Sequence, residues 1–280
     1  MASSLLRSIH HVVPDETVAG QLGSYTPRPE RPGGEIVQPK WTRSGSPPRI
    51  LMITDNRPNH GLDVVYEGLH QLLGPANLVE FPWKPTLHGQ KSESLGYYPT
   101  FFDLPGVRLE LEEVVEELRE GHFDFVLFCD VEQIWGERLV RPIAEALGNT
   151  PVFIFDAGDD FKDNRVATLD YLGLRQVCGY FKRERLACHD YGVGVYPLPL
   201  AYPEGRMPTS FCENRPYPFF WAGNRAYGTR KLYTEYLESV LDYDFSKTYP
   251  QEIYAAILKQ SRIGLDIPGI GFDTVRYWEL

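Results

Sequence analysis

Short apolar runs alternate with amphipathic segments along most of this chain, and that alternation limits the folds it can adopt. Four runs have the length and composition of buried strands, near residues 50–54, 78–82, 124–129 and 152–156: RILMIT, NLVEFPW, FDFVLFCD and PVFIFDAGDD. Between them lie segments with apolar residues at helical spacing, such as LDVVYEGLHQLL and VRLELEEVVEELREG. Because strands and helices alternate with short connections, the sequence predicts an α/β protein with a parallel sheet and helices on both faces.

The alternation restarts after residue 205. YPFFWAG and RIGLDIPG are typical of strands, and GTRKLYTEYLESVL and TYPQEIYAAILKQS of helices. Between the two halves, we interpret QVCGYFKRERL as a strand leading into a short helix and VYPLPLAYP as a crossover. The sequence therefore predicts two Rossmann-like domains, residues 49–205 and 206–280. The second is incomplete, because the sequence stops where a new helix should begin, and we expect the chain to be a fragment of a longer protein.

The first 48 residues differ in composition from the rest. Pro, Gly, Arg, Glu and Ser dominate the stretches TPRPERPGGE and RSGSPP, which contain little that could form a core. We expect residues 1–48 to form a disordered or extended N-terminal arm, without regular secondary structure up to about residue 45.

The charge and hydropathy patterns exclude several function classes. The formal net charge is −10 and the chain contains no run of Lys or Arg, which argues against binding nucleic acid or anionic membranes. No apolar run reaches the roughly 20 residues that span a bilayer, and the N-terminus lacks the apolar core of a signal peptide. The four cysteines form no CxxC pair, so we expect no metal site. A cytoplasmic protein is expected.

Two loops after strands of the first domain carry candidate catalytic residues. In a parallel sheet, ligands bind beyond the carboxyl ends of the strands. His60, in DNRPNHG, could act as a general base because an unperturbed imidazole takes up a proton near neutral pH. Asp159 and Asp160, in DAGDD, are the rival candidates. The alternatives are that Asn59 caps a helix, that the two carboxylates cap the following helix, and that His60 lies at the surface.

Two glycine-containing loops of the second domain, AGNRAYGTRK and IPGIGFDTVRYWE, are candidates for holding a phosphate ligand. Their glycines allow close approach of the backbone, and their basic residues carry positive charge for a diphosphate. Asp273 or Thr274 could cap the next helix, whose amides would then point at phosphate. A glutamate in the last helix could hold two ribose hydroxyls. The candidate donor-binding residues are Gly223, Asn224, Arg225, Arg230, Lys231, Gly269, Gly271, Phe272, Asp273, Thr274, Arg276 and Glu279. Two ordinary strand-to-helix turns remain the alternative.

These same segments resemble a known family. YAAILKQSRIGLDIPGIGFDTVRYWEL is similar to the donor-site region of glycosyltransferases with the GT-B fold, most of all the CgeB-type (spore-protein-like) members of glycosyl transferases group 1. FFWAGNRAYGTRKLYTEYL resembles the strand, glycine turn and basic helix that open their C-terminal domain. The resemblance is specific over residues 218–280 and architectural over 49–200. In the family the helix that begins near Arg276 and Glu279 continues into further helices that this chain lacks.

The resemblance implies a transferase that moves a sugar from a nucleoside-diphosphate sugar, held by the second domain, to an acceptor held by the first. No metal or cofactor is expected, because basic side chains and helix amides can stabilise the leaving diphosphate. The acceptor, a glycan, protein or small molecule, is not identified. A non-catalytic or truncated nucleotide- or sugar-binding protein of the same fold is the alternative. A flavodoxin-like signalling module would explain the carboxylates after the strands but not the second set of strands and glycines.

Overall fold

The computed structural model describes residues 35–36, 47–54, 59–90, 102–130, 136–207, 210, 212–269, 271, 273–274 and 277–278. Residues Gly34–Leu280 form one compact unit. Within the described ranges the strands are β1 (Glu35–Ile36), β2 (Ile50–Ile53), β3 (Leu78–Phe81), β4 (Phe125–Cys129), β5 (Val152–Asp156), β6 (Gln176–Val177), β7 (Gly179–Lys182) and β8 (Val195–Pro197). The α-helices are α1 (His60–Leu73), α2 (Leu111–Arg119), α3 (Gly136–Ala146), α4 (Arg165–Leu172), α5 (Arg230–Val240) and α6 (Gln251–Lys259).

Six of the strands form one parallel sheet in the order β3-β2-β4-β5-β7-β8. This confirms the predicted α/β class and the parallel sheet. It also confirms the four predicted strands, which the structure has as β2, β3, β4 and β5. The division into two domains at residue 205 stays a prediction.

Alternate residues of β2 show why this strand is apolar throughout. Ile50 and Met52 pack in a cluster with Leu62 and Tyr66 of α1. Leu51 and Ile53, on the opposite face, belong to a cluster that includes buried residues of α2, α3 and α4: Val114, Leu118, Val140, Ile143, Leu169 and Leu172. A strand that is covered by helices on both faces cannot alternate polar with apolar residues, so its sequence is a continuous apolar run.

Three segments differ from their predicted structure. The segment interpreted as a crossover contains β8, one of the two edge strands of the main sheet. The basic stretch after β7, predicted as a short helix, contains turns and no helix over residues 183–190. In the predicted N-terminal arm, β1 pairs in parallel with β6, with Glu35 opposite Gln176. The prediction that residues up to about 45 lack regular structure is therefore wrong at Glu35–Ile36, while 1–34 and 37–46 lie outside the described residues.

A smaller hydrophobic cluster lies in the C-terminal part of the chain. Trp221, Phe245 and Ile267 are its buried members, and Leu237 of α5 packs against them. The two segments predicted as strands here meet through isolated parallel bridges rather than full strands, at Tyr217–Ser261 and Phe220–Gly264. The helices α5 and α6 lie between the bridged segments in the sequence. The order along the chain is therefore that of a strand–helix–strand unit.

Candidate functional site at the carboxyl edge of the sheet

The strand order reverses at β2, which has β3 on one side and β4 on the other. In open α/β sheets the crevice at such a reversal is the usual ligand position. The helix α1 begins there: the Asn59 side chain accepts a hydrogen bond from the Leu62 amide (3.3 Å), and its Nδ2 donates to Asp130 after β4 (3.0 Å). Asn59 therefore caps α1, as one alternative had it, and also joins the two loops at the reversal. Residues 55–58 lie outside the described residues.

His60 occupies the first turn of α1 and is buried, with 6% of its surface exposed. Its Nε2 lies 3.1 Å from the carbonyl oxygen of Ala201, and its Nδ1 has no hydrogen-bond partner among the described residues. Burial lowers the pKa of His60 to about 4; the hydrogen bond to Ala201 opposes this shift, and the charges of Arg206 and Arg183 add to it.

A histidine with this pKa is neutral at pH 7. Since the carbonyl of Ala201 can only accept, Nε2 carries the proton and Nδ1 presents a lone pair. His60 is thus suited to accept a hydrogen bond from a ligand hydroxyl rather than to hold a proton in the resting protein. The sequence suggested that His60 is either a surface residue or a base of ordinary pKa. In the structure His60 is buried and its pKa is lowered.

Asp159 and Asp160 follow β5 at the same edge of the sheet, as the parallel topology predicts. Asp159 is exposed and pairs with Arg183. Asp160 accepts a hydrogen bond from the Lys162 amide (2.8 Å), and its carboxylate lies 3.8 Å from Nζ of Lys182. These contacts fold the turn before α4 and pair both carboxylates with cations, so each has a structural role already.

Two fully buried lysines lie along this edge, and no pattern in the sequence singles them out. Lys182, at the end of β7, donates to Asp156 (2.9 Å), which also accepts from the Tyr180 hydroxyl (2.8 Å). Burial, then the charge of Asp156, raises the pKa of Tyr180. Lys84, after β3, pairs with Asp63 of α1 (2.5 Å).

Arg183 and Glu184 continue the charged series after β7. Arg183 pairs with Asp159 and with Glu184, the latter at 3.1 Å. Burial alone would lower the pKa of Arg183, but the carboxylates of Asp159 and Glu184 outweigh it, and the pKa is raised above its usual value. Both residues belong to the stretch that sequence reasoning assigned to a short helix. A charged run that directly follows a buried strand was the available signal.

The predicted donor loops come together in part. Arg230, at the start of α5, donates from Nε to the Ile267 carbonyl (3.0 Å). A Cβ atom on Gly269 would lie 3.1 Å from its guanidinium. Arg230 also lies 3.4 Å from the carbonyl oxygen of Asn224, so the two glycine-containing loops are neighbours at this point. Gly223, which directly precedes Asn224, is half-buried.

Two other basic candidates have their own partners. Arg225 forms a bidentate pair with Glu238 of α5, at 2.8 and 3.0 Å, and also donates to Thr234. Lys231 is largely exposed and lies 3.9 Å from Glu235, one turn along the same helix. The Thr234 hydroxyl in turn donates to the Arg230 carbonyl (2.8 Å), so Arg225 is linked to the start of α5 through its partners.

The last predicted loop meets the carboxyl edge of the main sheet. The Asp273 amide donates to Glu184 (3.0 Å), and its carboxylate accepts from the Leu200 amide that follows β8 (2.5 Å). Thr274, one of the two residues predicted as a possible cap of the next helix, accepts a long hydrogen bond from the Tyr277 amide (3.4 Å) and donates to Asp266. The predicted site residues Phe272, Arg276 and Glu279 lie outside the described residues.

A groove of about 420 Å³ lies elsewhere, between α3 and α4, with Arg141, Glu145, Asp170 and Tyr171 along it. It extends to Gly173, where α4 ends, and helix ends of this kind lie at the opposite edge of a parallel sheet. None of the candidate site residues lines it.

The described part of the chain contains no group of three or more His, Cys, Asp or Glu side chains placed to hold a metal ion. Nor does any helix there have the length and apolar character needed to cross a bilayer. Comparison of the chain with protein-family models, with curated proteins and with solved structures gives no match. The resemblance to GT-B glycosyltransferases therefore stays a prediction from the sequence.

Proposed function

We propose that this chain is a glycosyltransferase that binds a nucleoside-diphosphate sugar at the loop 269–274 and an acceptor at the crevice beside α1. The observation that carries the proposal is the meeting of these two regions. Asp273 is hydrogen-bonded to Glu184 and to Leu200, which follow β7 and β8. Its charge also acts on His60, the first residue of α1.

The chemistry of the donor side supports a diphosphate ligand. Arg230 lies against the backbone of Gly269, where the absence of a side chain leaves room for close approach. Thr274 accepts from the Tyr277 amide, the contact of a residue that begins a helix. A guanidinium and helix amides together stabilise a leaving diphosphate without a metal ion.

The chemistry of the acceptor side supports recognition of a hydroxyl group. The unpartnered Nδ1 of buried His60 can accept a hydrogen bond from an acceptor hydroxyl and so orient its oxygen for attack on the sugar. Arg183 has an Nε–H that is likewise buried without a hydrogen-bond partner among the described residues. The O–H of a hydroxyl group can donate to an unpartnered imidazole nitrogen, and the oxygen of a hydroxyl group can accept from an N–H.

A non-catalytic nucleotide- or sugar-binding protein is the second candidate. The pairing of Asp159 with Arg183 favours it, as does the pairing of Arg225 with Glu238, because a residue engaged in an ion pair is less free to act on a substrate. This candidate predicts binding of the nucleotide without turnover.

The direct test is to incubate the 280-residue chain with a panel of nucleoside-diphosphate sugars and a panel of hydroxyl acceptors, with water as the acceptor in the absence of these, and to measure release of the nucleoside diphosphate. Turnover is expected. His60→Ala should lower it at least about tenfold, while donor affinity stays within about twofold, since His60 contacts the acceptor and not the donor. Arg141→Ala, on the remote face of α3, is the control. Donor binding without turnover would favour the non-catalytic binding protein. The absence of both binding and turnover would contradict the proposal.

A further inference from the structure

Glu184 connects the main sheet to the last predicted loop. It follows β7, and only 2% of its side chain is exposed. Its Oε1 accepts one hydrogen bond from the Asp273 amide (3.0 Å) and another from Arg183 (3.1 Å). A buried carboxylate needs compensation for its lost hydration, and these two donors supply it.

Asp273 completes the connection from the other side. Its carboxylate accepts from the Leu200 amide (2.5 Å) and from the Trp278 indole (2.8 Å). The loop that contains Asp273 is thus tied to the segments that follow β7 and β8. In this tie, backbone amides donate hydrogen bonds to carboxylates. Such hydrogen bonds are stronger than those between neutral groups.

Gly271 is pressed against the same carboxylate. A Cβ atom there would overlap Oε1 of Glu184 and lie 2.8 Å from its Cδ. The φ angle of Gly271 is outside the left-handed region, so its backbone would accept an alanine. The space that Glu184 occupies, with Arg183 Nη2 next at 3.0 Å, and not the backbone conformation, therefore requires glycine at this position.

We propose that Glu184 is a positioning residue, whose carboxylate oxygen holds Asp273, and with it Gly271, against the carboxyl edge of the sheet. The contacts alone support this tie; that it thereby fixes the nucleoside-diphosphate site rests on the proposed function. Both hydrogen bonds go to one oxygen, Oε1, so an amide oxygen in its place can accept both. Glu184→Gln therefore keeps an acceptor oxygen and removes the charge.

Hydrogen exchange measured by mass spectrometry tests the tie without any ligand. In Glu184→Ala, the peptide covering residues 265–274 should exchange at least about tenfold faster than in the unmodified chain. Glu184→Gln should restore most of the protection, because it keeps the acceptor. Unchanged exchange in Glu184→Ala would overturn the proposal, as would equal loss of protection in both variants.

A second measurement uses the close approach of Gly271. Gly271→Ala should lower the Tm by at least about 3 °C in the unmodified chain, and by less than half of that when combined with Glu184→Ala. Gly205→Ala is the matched control, since a Cβ there meets nothing within 4 Å. An equal loss in both backgrounds would show that Glu184 does not set the requirement for glycine, and would overturn the proposal.

Calorimetric titration with uridine and guanosine diphosphate links the tie to the site. Glu184→Ala should weaken binding at least about tenfold, and Glu184→Gln about threefold or less. If the unmodified chain binds neither nucleotide, the proposed function fails while the exchange result still decides the tie. If nucleotide binds and Glu184→Ala leaves both affinity and exchange unchanged, the tie fails and the proposed function stands.

Discussion

At the scale of single residues, the carboxyl edge of the sheet is built from charged side chains that are buried in pairs. Lys84 and Lys182 are both completely buried, and each has a carboxylate partner, Asp63 and Asp156 respectively. A buried pair adds little to stability compared with an apolar pair, but breaking it leaves one uncompensated charge. These pairs therefore hold the loops of the candidate site in place only while both members are present.

We expect Lys182→Met to lower the free energy of unfolding by about 3–5 kcal/mol, because Asp156 would be left buried without its cation. Urea denaturation measures the change. Lys231→Met is the control: that side chain is exposed and its pair with Glu235 is long, so the change should stay within about 0.5 kcal/mol. Equal losses in the two variants would contradict this account of the edge.

The low pKa of His60, about 4, predicts a pH dependence of stability. In the unfolded chain His60 has the ordinary pKa of about 6.5, so below that pH the unfolded state binds the proton first. The contribution is fully present above pH 6.5 and is lost as the pH falls towards 4. Between these values, the free energy of unfolding should fall about 3 kcal/mol further in the unmodified chain than in His60→Gln. Urea denaturation across this range measures it; parallel pH profiles would contradict the burial of a neutral His60.

At the scale of elements, the sequence predicted strands best where burial on both faces requires every residue to be apolar. The strands β2, β4 and β5 are covered on both faces and read as continuous apolar runs. The edge strand β8 has only three residues, two of them exposed, so no apolar run announces it. The charged stretch after β7 has the composition of a surface helix, yet its side chains are held by long-range partners and no helix forms.

The packing of α1 on the sheet can be tested with its two internal glycines. A Cβ on Gly61 would lie 3.1 Å from Leu200 and 3.8 Å from Ala157, whereas one on Gly68 would meet nothing within 4 Å. Gly68→Ala should raise the free energy of unfolding by about 0.5–1 kcal/mol, the usual gain in a helix. The free energy of unfolding of Gly61→Ala should be at least about 1 kcal/mol lower than that of Gly68→Ala, because Leu200 must move. Chemical denaturation of both variants decides this, and equal gains would contradict the close approach of α1.

At the scale of the whole molecule, the parallel topology brings the loops with the candidate residues to one edge of the sheet, but it does not indicate which side chains pair there. That loops after parallel strands share an edge was enough to bring His60, Asp159 and Asp160 to one side of the sheet. The bond from Asp273 to Glu184 joins residues 89 positions apart, and no local pattern indicates such a pair. The partner of Arg225, Glu238, likewise became evident only when α5 was in place.

The measurement that tests the central claim most directly is calorimetric titration of the chain with uridine and guanosine diphosphate. At least one of them should bind saturably at a single site. Arg230→Ala should weaken that binding by about 1–3 kcal/mol, since its guanidinium lies against the Gly269 backbone, while Arg141→Ala should leave it unchanged. If neither nucleotide binds saturably up to about 1 mM, which corresponds to a binding free energy of about −4 kcal/mol, the chain has no nucleoside-diphosphate site and the account is contradicted.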